Sequence, residues 1–198
     1  MQYEYLIPLI AYFLGSIPFG FLLVKSTQGK DIRKFGSGNI GATNVFRKNR
    51  MTGVLTLLFD AGKGALAVAV TGWMGGDTSW QAIAAFAAII GHVFTVWLRF
   101  KGGKGVATGC GAYLVLSPFP VLTTLVVFVL VLASTRYISA ASIVATGLFP
   151  LWAYLFGVPL PAVLWGAAGA LVIVAKHHQN IRRLLSGTEN KFLVGAGS

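Results

Sequence analysis

Long apolar runs alternate along this chain with short polar segments rich in glycine. The runs cover residues 3–24, 53–73, 80–98, 106–134, 137–156 and 160–175. Their apolar residues are continuous, with no amphipathic spacing, so each predicts a helix that is apolar on all sides, as a bilayer requires. The first run follows Glu4, lacks a small-residue cleavage pattern and is too long for a signal-peptide core, which makes it a span. The fourth run is interrupted by Ser117-Pro118-Phe119-Pro120, a turn sequence whose prolines cannot continue a helix ladder. If the chain crosses twice there, it has seven spans, and the fourth and fifth are short. At about 13 residues each they would rise only about 20 Å, so they need tilt, shielding by neighbours or a thinned bilayer.

Charge placement favours the same count. Residues 25–50 carry seven Lys/Arg, 99–104 three, position 136 one and 176–191 four, whereas 74–79 and 157–159 carry none. Seven spans put every basic segment on one side; six would strand the basic C-terminal tail outside, against the positive-inside tendency. The expected fold is therefore an all-α integral membrane protein of seven transmembrane helices, a single polytopic domain over residues 1–198. Its N-terminus lies outside, its C-terminus is cytoplasmic and its two short helices are central.

Composition agrees, with 56% of 198 residues hydrophobic and 11% charged. The net charge of +11 is no sign of nucleic acid, because 15 of 16 Lys/Arg fall in the cytoplasmic segments that topology requires. The single cysteine, Cys110, excludes an internal disulfide, and no His, Cys or carboxylate spacing fits a metal, so neither metal nor cofactor is expected. The one basic residue inside a span is Lys63, three residues after Asp60 and on the same helix face. Asp60 with Lys63 or with His92 reads either as a structural ion pair or as the mark of a polar cavity.

Chemistry is left to the polar segments. The first is Gly36-Ser37-Gly38-Asn39-Ile40-Gly41-Ala42-Thr43-Asn44, closed by Arg47. It matches G-x-G-x-x-G, but no buried strand precedes it and Asp60 lies in an apolar run, so the dinucleotide reading fails. It remains a phosphate cradle or a flexible turn. The second is Lys101-Gly102-Gly103-Lys104-Gly105-Val106-Ala107-Thr108-Gly109, which departs from a Walker A loop at Leu98 and Gly105. In the inferred topology it feeds a helix N-terminus facing the cytoplasm, with Lys101 and Lys104 beside it, and so suits either a substrate anion or lipid phosphates. The third runs from His177 and His178 through Asn180, Arg182 and Arg183 to Gly187 and Glu189. On a helix continued from the last span, His177, Asn180 and Leu184 share a face, and Gly187 is a stop; an interfacial anchor helix is the alternative. Together the segments offer Arg47, Lys104 and Arg183 for phosphate, two glycine loops for backbone donation, and Ser37, His177, Asn180 and Glu189 for orientation or proton transfer.

These three segments resemble the cytoplasmic motifs of the bacterial acyl-phosphate:glycerol-3-phosphate acyltransferase family, and length and span count agree. The resemblance implies transfer of a fatty acyl group from a long-chain acyl-phosphate to the 1-hydroxyl of glycerol 3-phosphate, giving lysophosphatidic acid and phosphate. This is the first acylation of phospholipid synthesis, at the cytoplasmic side of the bacterial inner membrane, with a functional link to the soluble enzyme that makes acyl-phosphate. It marks Ser37, His177, Asn180 and Lys104 as catalytic. It also marks Asn44, Arg47, Gly102, Gly103, Gly105, Thr108, Arg183, Gly187 and Glu189 as motif positions, and with the loop residues Gly36, Gly38, Asn39, Gly41 and Thr43, read from backbone freedom and hydrogen-bonding capacity, all but Gly187 are expected to bind substrate. His178 departs from the family, which more often has Arg there. Rival classes are an organic-anion or phosphate-ester transporter, suggested by Asp60, Lys63 and His92 but without an inverted repeat, a recruiting membrane protein, and an acyl-CoA enzyme, for which the H-x4-D dyad is missing. The topology makes a direct prediction: in a Cys110-free background, cysteines at Thr78 and Ser139 should be labelled from opposite sides of the membrane, and labelling from one side would refute seven spans.

Overall fold

The computed structural model describes residues 4–192, and among these the regular structure is entirely helical. One compact unit runs to Leu116 and a second begins at Ser117. The first unit comprises α1 (Leu6–Ser16), α2 (Phe19–Gln28), α3 (Ala42–Lys48), α4 (Arg50–Trp73), α5 (Thr78–Val93) and α6 (Val106–Leu116). The second comprises α7 (Pro118–Thr135), α8 (Ile138–Leu155), α9 (Leu160–Ala175) and α10 (His178–Leu185).

Lipid gives no hydrophobic reward for bringing two apolar helices together, so close backbone approach has to do it. In the first unit glycines provide that approach in reciprocal pairs. Gly15 of α1 lies against the Ala88 carbonyl of α5, and Gly91 of α5 against the Tyr12 carbonyl; Gly64 of α4 meets the Thr108 carbonyl of α6, and Gly111 the Ala61 carbonyl. A Cβ at any of these positions would strike backbone. Around the α1–α5 contact the core is small, with Ala67, Ala84, Ala87 and Ala88 buried beside Ile7 and Ala11.

Helix breaks leave carbonyls that lipid cannot satisfy. Pro18 parts α1 from α2, and there the Thr95 hydroxyl donates to Ser16 O at 2.6 Å while Lys63 Nζ donates to Ile17 O at 2.7 Å. The Tyr12 hydroxyl donates to Phe94 O, just past α5, at 2.8 Å. Lys63 Nζ also lies 2.7 Å from Asp60 Oδ1, and His92 Nδ1 lies 3.6 Å from the same oxygen. The intramembrane ionisable residues are thus a closed, buried cluster.

In the second unit α7 packs on α8 and α8 on α9. The outer face of α7 leaves Val126, Val129 and Leu130 58–63% exposed, a surface suited to lipid and not to water. Among the described residues five helices are long and apolar enough to cross a membrane: Leu6–Gln28, Arg50–Trp73, Thr78–Leu98, Pro118–Thr135 and Ile138–Leu155. A sixth is added if α9 and α10 count as one bent span, and α6 is a shorter apolar helix.

Three expectations need correction. The helix break falls at Ser117 as predicted, but it divides the run unequally into 11 and 18 residues, so α7 is not short. The reason is that a proline is tolerated in the first turn, where its missing N–H costs nothing, and α7 starts on Pro118 itself. Nor does the last span continue straight through His177: α9 and α10 meet at a 55° bend. Lastly, Ser139 is buried and its hydroxyl donates to Glu189 at 3.0 Å, so the exposed Ser134 at the end of α7 is the better labelling site.

Candidate active site

The first motif is knit by one side chain. Asn44, 2% exposed at the start of α3, accepts from Ser37 N–H at 3.1 Å and donates through Nδ2 to Phe35 O and Asn39 O, both at 2.9 Å. The loop needs glycine at two of its bends, since Gly36 and Gly38 have φ of +56° and +70°, and a Cβ at Gly36 would strike Asn44 Oδ1. Asn39 Oδ1 accepts from Gly41 N–H at 2.8 Å, holding the residue that opens α3. Upstream, Asp31 caps the 3-10 turn Ile32–Lys34, and the Arg33 guanidinium, 2.7 Å from its carboxylate, holds Asp31 down at a pKa of about 2. What the loop presents outward is the exposed Ser37 and, one turn along α3 from Asn44, the exposed Arg47.

The second motif is laid along the end of α5. Gly102 N–H donates to Val93 O and Gly103 N–H to His92 O, each at 3.1 Å. Side chains there would collide: a Cβ at Gly102 with the His92 carbonyl, and one at Gly103 with His92 Nε2. The chain returns to this position through two successive left-handed residues, Arg99 and Phe100, with φ of +54° and +61°. Neither is glycine, and such backbone persists only where the surroundings impose it. Lys104 and Gly105 then stand immediately before α6, whose first-turn amides have no partner within the helix. Thr108 is fully buried on α6. An apolar cluster of Val24, Ile32, Ile40, Val45 and Leu98 fastens the first motif to the turn that leads into the second.

The third motif is organised by Glu189. Its carboxylate accepts from Asn180 Nδ2 at 2.8 Å, Arg183 Nε at 2.6 Å and the Ser139 hydroxyl at 3.0 Å. Burial works to raise its pKa, but the hydrogen bonds from Asn180, Arg183 and Ser139 outweigh it and hold the group below the usual value. Gly187, with φ of +69°, turns the chain back, and Thr188 N–H donates to Arg183 O at 2.8 Å, closing α10. His177 is 2% exposed in the bend, with Nδ1 2.8 Å from Ile173 O. A carbonyl can only accept, so Nδ1 carries the hydrogen of this bond.

Residues 5–187 match the family model described as glycerol-3-phosphate acyltransferase. This chain belongs to the glycerol-3-phosphate acyltransferase family. Similar family members include the glycerol-3-phosphate acyltransferase of Geobacter sulfurreducens, 46% identical over 97% of this chain and 99% of that protein. That of Trichlorobacter lovleyi is 50% identical over 92% and 94%. Among solved structures the chain resembles PlsY (YgiH), an integral membrane glycerol 3-phosphate acyltransferase, in its glycerol 3-phosphate form. The TM-score is 0.91 at 36% identity, covering 96% of this chain and 95% of that one. The lysophosphatidic acid form matches with a TM-score of 0.88 at 34% identity. The all-helical architecture is thus that of an integral membrane acyltransferase.

Against the sequence expectations for this glycerol-3-phosphate acyltransferase family member, the structure brings the first two motifs onto one frame and ties Asn180, Arg183 and Glu189 into one cluster. It changes the role of the glycine loops: the amides of Ser37, Gly41, Gly102 and Gly103 are bonded within the fold, so they hold the loops in shape instead of pointing at an anion. Residues that sequence reasoning missed are Ser139, whose partner lies 50 positions away, and Arg99 and Phe100, whose conformation no local pattern announces.

The Glu189 clamp predicts a pH response. The unfolded carboxyl titrates near 4.5 and the folded one lower, so the clamp contributes fully above that value and is lost as pH falls through the lowered one. A spin label on Asn190→Cys in a Cys110-free background should be immobile at pH 6 and become mobile only well below the ordinary glutamate range. Glu189→Gln should make it mobile at pH 6 as well.

Proposed function

We propose that this protein transfers a fatty acyl group from an acyl-phosphate to the 1-hydroxyl of glycerol 3-phosphate, releasing 1-acyl-glycerol 3-phosphate and inorganic phosphate. The observation that carries the reading is the family match, which covers the first two motifs and the third as far as Gly187 and is joined by close structural likeness to an acyltransferase in its glycerol 3-phosphate form. The donor class rests on the motif resemblance and on the missing H-x4-D dyad of acyl-CoA enzymes.

Seven spans follow if α6 is counted as the fourth, with the N-terminus outside and all three motifs on the cytoplasmic side of the inner membrane, as charge placement favours. There the soluble substrate and the enzyme that makes acyl-phosphate are within reach, and the acyl tail stays in the bilayer. The chain then acts as one polytopic domain.

In this reaction the 1-hydroxyl oxygen attacks the acyl carbonyl carbon, the bond to phosphate oxygen breaks, and phosphate leaves. A mixed anhydride is already activated, so the protein's main task is to bring two repelling anions together and stabilise the oxyanion. Lys104, with Gly102, Gly103 and Gly105 shaping its loop and Thr108 seating α6, holds mainly the phosphate of glycerol 3-phosphate. Ser37, Arg47 and Asn180 line the acyl-phosphate, with Gly36, Gly38, Asn39, Gly41, Thr43 and Asn44 maintaining the first loop. Arg183 and Glu189 fix Asn180. The proton of the hydroxyl goes to His177 Nε2 or to the departing phosphate, and no metal or cofactor takes part. The transporter reading is weakened, because Lys63 is paired with Asp60 and His92 lies beside the same carboxylate in a buried cluster.

Two experiments test this. Purified protein offered acyl-phosphate, acyl-CoA and acyl carrier protein side by side should use acyl-phosphate; transfer from another donor alone would refute the donor class. Ser37 has no base in its own loop, so transfer is direct and Ser37 donates a hydrogen bond. Ser37→Ala should slow the reaction by roughly ten- to a hundred-fold, the loss of one charge-assisted hydrogen bond of ~1.5–3 kcal/mol. A stoichiometric, chemically competent acyl-serine formed from labelled acyl-phosphate without glycerol 3-phosphate would overturn direct transfer.

A further inference from the structure

Asp60, Lys63 and His92 lie inside apolar spans, belong to none of the three motifs, and have side chains only 3–4% exposed. A buried ion cluster is a poor stability device, since apolar residues of like volume pack as well or better. What charges supply and apolar groups do not is direction. One oxygen of Asp60 on α4 lies 2.7 Å from Lys63 Nζ and 3.6 Å from Nδ1 of His92 on α5, so the ring edge faces the ion pair. Lys63 is itself anchored to Ile17 O at the α1–α2 break. The imidazole thus lies with its Nδ1 edge toward Asp60, whose place is set by Lys63. Its opposite edge faces the second motif: a Cβ on Gly103 would collide with Nε2 and come within 2.9 and 3.0 Å of Cε1 and Cδ2.

We propose that the Asp60–Lys63–His92 triad is the mount of the second motif. His92 is a positioning residue whose ring edge sets the height of the Gly103 backbone, and through it the place of the adjoining Lys104. Asp60 and Lys63 hold the ring. The backbone bonds from Gly102 and Gly103 to Val93 and His92 fix the loop's direction along α5, and the ring fixes its distance. The catalytic consequence rests on the second motif's being the glycerol 3-phosphate site.

A size-exchange experiment tests the mount. Gly103→Ala should lower kcat/KM by about 100-fold, the order expected of a displacement near 1 Å, acting chiefly on KM for glycerol 3-phosphate and little on that for the acyl donor. His92→Ala removes the colliding ring, so the double variant should regain at least tenfold over Gly103→Ala alone. Asp60→Asn should reproduce the KM pattern of the loosened loop. If Gly103→Ala is equally damaging with and without His92, or if both KM values move alike, the mount is refuted. Should His92→Ala fail to fold, His92→Asn, which ends short of Gly103, carries the same comparison. Amide exchange of the peptide spanning 101–105 in detergent micelles reads the mount without any reaction. Exchange should quicken in His92→Ala and Asp60→Asn while residues 82–88 of α5 stay protected, and an unchanged rate would refute the proposal. Quickened exchange in a protein whose wild type transfers no acyl group would keep the mount and fell the proposed function instead.

Discussion

A carbonyl inside a bilayer has no water to turn to, and that constraint shapes the first half of this protein. Wherever a helix is interrupted, a polar side chain or a returning loop arrives to satisfy the exposed end. Thr95 reaches Ser16 O, Lys63 reaches Ile17 O, Tyr12 reaches Phe94 O, and the Gly102 and Gly103 amides reach Val93 O and His92 O. The three side-chain bonds join segments 46 to 82 positions apart in sequence. The break at Pro18 and the end of α5 are thereby one joint, built where the second motif begins.

The same economy explains the glycines. Some allow helices to touch backbone to backbone, as at Gly64 and Gly111; others let a loop lie flat on a helix end, as at Gly102 and Gly103. With those loop amides engaged, recognition of two phosphates falls, in the proposed reaction, to Arg47, Lys104, the hydroxyl of Ser37 and the first turn of α6. Cations on a rigid frame suit a reaction whose main difficulty is the approach of two anions.

Much of this was legible in the sequence. The apolar runs locate the helices, Ser117 marks a break, Gly187 ends α10, and the three polar segments carry the family resemblance that the comparisons bear out. What local pattern cannot show is where a side chain finds a distant partner. Pro18 is a single residue in an apolar run, and the chain from Val96 to Leu98 is as apolar as a helix yet forms a 3-10 turn because the second motif must fold back. The bend at His177 and the length of α7 escape a local reading for the same reason: a turn and a helix start share the same residues. Asn44 reads as a phosphate ligand by its motif, but in space it is the knot of its own loop.

The clamp on the third motif also sets an order of events during synthesis. Asn180 and Arg183 are made before Glu189, the residue that immobilises both, and Ser139 long before either. The clamp therefore closes only once residue 189 has joined the chain, and a single carboxylate then ties α10 to the start of α8.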